Sequence, residues 1–87
     1  IRLSPDYARA YVNRGNIYSM YAQYQLAIGD YTKAIQLKQD DADAYSNRAI
    51  AYLMQGNKEQ GCADAQQGCA LGQCKILEVA RGNGDCR

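Results

Sequence analysis

Small and apolar residues recur along the chain at steps of three and four. Ala8, Tyr11, Gly15, Tyr18 and Ala22 fall on one face of a helix, and Ala42, Tyr45, Ala49, Tyr52 and Gly56 repeat that stripe. Each stripe alternates small with large, so a neighbouring helix can approach at the small positions while tyrosine rings fill the space beside them. A second helix is predicted after each: Ala27, Ile28, Tyr31, Ala34 and Ile35 form the apolar face of residues about 24–38, and Gly61, Cys62, Ala65, Gly68 and Cys69 that of residues about 58–71. Turns are expected near Ala22–Gln23 and Gly56–Asn57. Ser4-Pro5-Asp6 reads as a helix start with Ser4 as N-cap, and Asp40 or Asp41 can cap the second unit. A short fifth helix from Cys74 to Arg81 carries Ile76, Leu77, Val79 and Ala80 before Gly82-Asn83-Gly84 stops it.

The stripes belong to an internal repeat. Superposing residues 6–39 on 40–73 gives identities at Asp6, Ala8, Ala10, Tyr11, Asn13, Arg14, Tyr18, Met20, Asp30, Leu37 and Gln39. The offset matches the period of helix-turn-helix solenoids, about 34 residues. Composition agrees with an all-α chain: one proline, eight tyrosines, no tryptophan or phenylalanine. The net charge of +1 supplies no field that would recruit nucleic acid. No apolar run reaches the roughly 20 residues of a membrane-spanning helix, so no membrane insertion is expected. Eighty-seven residues make a single domain with a thin core. The chain starts at Ile1 in mid-pattern, which suggests a piece of a longer protein with further repeats upstream.

Tyr11, Gly15, Tyr18, Ala27, Tyr31 and Ala34 carry a resemblance to the tetratricopeptide repeat family, extending over about residues 1–72. The resemblance implies one domain over 1–87: the end of a preceding repeat at 1–5, repeat one at 6–39, repeat two at 40–73, and a capping helix and tail at 74–87. The second unit departs from the family pattern at Ala49, Gly61, Ala65 and Gly68, and Gln39 stands where a proline closes the family's repeat. A weakened second helix suits a last repeat.

There is no histidine and no phosphate-binding glycine loop, so no enzyme activity and no cofactor is expected. The acidic group Asp40, Asp41 and Asp43 sits at a helix start, where capping is its expected role. In stacked hairpins the first helices line the concave side. The groove face then comprises Arg9, Val12, Asn13, Asn16 and Met20 from the first unit, with Asp43, Ser46, Asn47, Ile50 and Met54 from the second. Asparagine amides can pair with an extended peptide backbone, and methionines adapt to apolar side chains. The expected partner is a protein or peptide. Some family members hold a chaperone tail's terminal carboxylate with a clamp of lysine, asparagine and arginine. Asn16 and Asn47 resemble two clamp asparagines, but Val12 stands where the clamp needs lysine, which disfavours that ligand.

Cys62, Cys69, Cys74 and Cys86 crowd into the C-terminal third of the chain. Cys62 and Cys69 occupy the places of Ile28 and Ile35, which face the next hairpin. They stand about 10 Å apart along a helix, too far to bond with each other. Each must pair with the tail. A fifth helix folded back antiparallel favours the nested pairing, Cys69 with Cys74 and Cys62 with Cys86, over the crossed pairing. Two staples would support a repeat whose glycines bury little surface, each contributing roughly 2–4 kcal/mol. Oxidised cysteines imply a periplasmic or secreted location, and free thiols a cytoplasmic one. The competing function is a thiol-based redox or metal-binding module, although neither a CxxC motif nor closely paired zinc ligands are present; no metal site is expected.

Overall fold

A computed structural model describes residues 5–86 as five α-helices, with no strand among them: α1 (Pro5–Met20), α2 (Tyr24–Leu37), α3 (Ala42–Met54), α4 (Lys58–Ala70) and α5 (Lys75–Gly82). The expected Ser4 cap and residues 1–4 of the supposed preceding unit lie outside the described residues. At the start of α3 the cap is Asp41, whose carboxylate accepts from the Ala44 N–H at 3.1 Å. Asn57 caps α4 in the same manner, accepting from the Gln60 N–H at 3.3 Å. The turns inside the two hairpins are equivalent in backbone, although no residue of 21–24 recurs at 55–58. Gly56 takes φ +82°, and Ala22, its counterpart one repeat earlier, takes φ +59°. That conformation costs an alanine roughly 1–2 kcal/mol.

Helices α1 with α2 and α3 with α4 form two hairpins, and α2 packs on α3 to join them. Helix α5 rests on α4 and touches α3, so it follows the second hairpin as α3 follows the first. The leading helices α1 and α3 are neighbours on one side. One core cluster is built on Ala8, Val12, Ala27, Ile28, Tyr31, Ala34, Ala44 and Ala51. A second gathers Ala49, Ala65, Leu77, Ala80 and Cys86 at the α5 end.

Two departures of the second unit from the first are matched in volume across the hairpin. In the first hairpin Gly15 sits under the ring of Tyr31, so close that a Cβ on residue 15 would stand 2.7 Å from Cε1. In the second, the corresponding residues are Ala49 and Ala65, both buried. Gly61 likewise accepts Leu53, where the first hairpin has Ala27 with Ser19, whereas Gly68 against Ser46, in place of Ala34 and Val12, is smaller on both sides. At the Gly15–Tyr31 and Leu53–Gly61 contacts a bulkier partner on one helix is met by a smaller one on the other. Gly15→Ala alone is therefore expected to cost about 1–3 kcal/mol through overpacking. Combined with Tyr31→Ala, its effect should fall short of additivity by about 1 kcal/mol or more in chemical denaturation. Simple addition of the two losses would mean that the ring does not meet this glycine.

Candidate binding surface

Arg9, Asn13, Asn16 and Met20 are exposed on α1; Asp43, Ile50 and Met54 are exposed on α3, with Asn47 half-buried. Both methionines face water rather than the core, Met20 at 81% exposure and Met54 at 61%. Val12 and Ser46 do not belong with this group. Val12 lies in the first core cluster, and Ser46 is covered where Gly68 brings α4 against it. The spacing placed them on the outer face because they border it, but in a tight hairpin the border positions are the ones the second helix covers.

Asn16 is partly committed inward. The Tyr31 hydroxyl donates to Asn16 Oδ1 at 2.6 Å and lies 3.3 Å from Ser19 Oγ. Burial pushes the Tyr31 phenol above its ordinary value of 10.0; the Ser19 hydrogen bond opposes that shift and the charge on Asp30 adds to it. A raised acid pKa means that the folded state holds the proton more tightly than the unfolded one. The associated stability is complete below about pH 10 and is lost as pH climbs through the raised value. The urea midpoint should thus fall as pH rises above about 10, and Tyr31→Phe should flatten that part of the fall. An equal fall in the variant would assign the pH dependence to other groups.

Two ion pairs that the sequence reading did not join tie the helices of each hairpin together. Arg14 donates from Nε and Nη2 to both oxygens of Asp30, each at 2.8 Å, and Arg48 donates from the same atoms to Asp64 at 2.7 and 2.9 Å. The residues correspond across the repeat. Each guanidinium also lies between two rings of its own helix: Tyr11 and Tyr18 at 5.8 Å for Arg14, and Tyr45 and Tyr52 at 5.6 and 5.8 Å for Arg48. Both arginines are held above the ordinary arginine range, chiefly by the aspartate hydrogen bond. Only Arg48 reaches the neighbouring hairpin, where Nη1 donates to Thr32 Oγ1 at 3.1 Å. The signal was present in the sequence: an arginine and an aspartate at the same separation in both units, each repeated identically.

At the other end, Cys62 is bonded to Cys86 and Cys69 to Cys74. Both bonds run from α4 to α5 or its flanks. All four cysteines are thereby paired. Between α3 and α5 opens a cleft of about 310 Å³, lined in part by Ile50 and Met54 of the expected groove. Its other wall comes from α5, to which the sequence reading assigned only a capping role. Among the described residues no helix is long and apolar enough to cross a membrane.

Hairpins of equal period, joined second helix to first and displaying a mixed polar and apolar face on their leading helices, define a helical-hairpin repeat protein. The family model for the TPR repeat matches residues 23–56. The mouse DnaJ homolog subfamily C member 7 is 36% identical over 64 residues, covering 74% of this chain and 13% of that protein. The bovine tetratricopeptide repeat protein 4 is 32% identical over 85 residues, covering 93% of this chain and 22% of that protein. The chain thus spans less than a quarter of the length of either. It belongs to the tetratricopeptide repeat family and is a protein–protein interaction module.

Proposed function

We propose that the chain is a non-catalytic scaffold that binds an extended segment of a protein partner along α1 and α3. The observation that carries this reading is the exposure of Met20, Ile50 and Met54 among Arg9, Asn13, Asp43 and Asn47 on two adjacent leading helices. Apolar side chains left in water beside polar groups able to pair with a peptide backbone are what such a ligand needs. The resemblance to chaperone-clamp members does not extend to their ligand. Val12, at the lysine position, is buried, and Asn16 is already engaged by Tyr31.

The test is a selection of binders from an array of random decapeptides with the oxidised chain. Asn13→Ala together with Asn47→Ala is expected to weaken the selected peptides at least tenfold while the helical circular dichroism stays unchanged. Unchanged affinity for every selected peptide would move the binding surface elsewhere on the molecule.

A further inference from the structure

Helix α5 does not lie flush on α3. The cleft between them is walled by Ile50 and Met54 on one side and by Ile76 and Val79 on the other, with Asn83 and Asp85 among its lining. Met54 and Val79 are 61% and 52% exposed, so these side chains stand in water instead of closing on one another. At about 310 Å³ the cleft lies at the lower bound of small-molecule pockets, a size that suits one large side chain better than a cofactor. The named apolar walls are aliphatic or thioether, without an aromatic ring. Among the described residues Asp85 is the sole charged group of the lining. Its partner Lys58 lies 3.5 Å away with a side chain 64% exposed, an ion pair loose enough for another cation to displace.

The position of the α5 wall is set covalently. Cys74, at the start of α5, is bonded to Cys69, and Cys86, next to Asp85, is bonded to Cys62. Both ends of the wall are thereby fixed to α4 before any ligand arrives, so little ordering is left to oppose binding.

We propose that the α3–α5 cleft is a specificity pocket that takes one bulky aliphatic side chain of a protein partner, with an adjacent lysine or arginine of the partner pairing with Asp85. The inference rests on the reading of α1 and α3 as the binding face, because Ile50 and Met54 belong to both. Methyl-detected NMR of the oxidised chain, titrated with N-acetyl-leucyl-lysinamide, N-acetyl-leucyl-glutamic acid amide and N-acetyl-alanyl-lysinamide, tests it. The leucyl-lysine probe is expected to move the methyls of Ile50, Met54, Ile76 and Val79 saturably, at least threefold more tightly than the glutamate analogue. The alanyl probe should not saturate. Val79→Glu should abolish the shifts, and Asp85→Asn should make the lysine and glutamate probes equivalent. Should Val79→Glu disturb the fold, Met54→Gln on the opposite wall replaces it and should weaken the leucyl probe.

Shifts centred on other residues, equal binding of the lysine and glutamate probes to the unaltered chain, or full binding by the wall variants would each overturn the assignment. The two readings fail separately. Selected peptides that lose affinity on Asn13→Ala with Asn47→Ala but not on Val79→Glu would remove the pocket and keep the face. Leucyl-lysine shifts confined to the cleft, with every selected peptide indifferent to the asparagine changes, would keep the pocket and remove the face.

Discussion

Asp64→Asn is expected to destabilise the chain by about 3 kcal/mol, and Asp30→Asn by clearly less, although the two residues are equivalent in the repeat and make the same bidentate contact. The difference lies in the arginine left behind. The Arg48 side chain is 17% exposed and that of Arg14 60% exposed, so water can replace the lost carboxylate around Arg14 but reaches Arg48 poorly. Breaking a buried pair by removing one partner costs more than the pair contributed, because a desolvated charge remains. For a domain of this size the Asp64 loss corresponds to a fall of more than about 10 °C in Tm. Equal losses at the two sites would show that burial of Arg48 between the hairpins does not control the effect.

Cys62→Ser combined with Cys86→Ser should cost a similar amount, about 3 kcal/mol, since that bond closes a loop with a sequence separation of 24. Cys69→Ser with Cys74→Ser opens a separation of only 5 and should cost about 2 kcal/mol. The larger effect has a local signature as well. Helix α5 is eight residues long and buries Leu77 and Ala80, too little surface to hold it without the tail bond. Limited trypsin digestion of the Cys62/Cys86 variant should therefore cut after Lys75 and Arg81 under conditions that spare the oxidised parent. Resistance equal to that of the parent would indicate that apolar contacts alone retain α5.

The architecture was legible because it is written twice. A stripe at helical spacing predicts one amphipathic helix, but the same stripe one period later, with identities at Ala8, Tyr11 and Tyr18, also states what each helix packs against. A cap at Asp40 or Asp41, resolved to Asp41, and a turn at Gly56–Asn57 followed from local chemistry, whereas the Asn57 cap of α4 and the left-handed Ala22 did not. Site residues were harder to read, because a helical wheel assigns a face but not how far the neighbouring helix wraps around it. Val12 and Ser46 fell on the wrong side of that boundary. The Arg14–Asp30 and Arg48–Asp64 pairs escaped because their partners stand on different helices, where no spacing rule along one helix connects them. The α3–α5 cleft depends on the angle at which α5 leaves α4, and neither hydrophobic period nor charge encodes an angle.

The reciprocal fit of Gly15 to Tyr31, and of Ala49 to Ala65, makes the two hairpins poor donors of single helices to each other. A chimaera joining α3 to α2 would drive the Ala49 methyl toward the Tyr31 ring, while one joining α1 to α4 would leave a void where that ring belongs. Recombination among such units can preserve packing only by exchanging whole hairpins, so the hairpin, and not the helix, is the piece of this chain that can be duplicated and diversify.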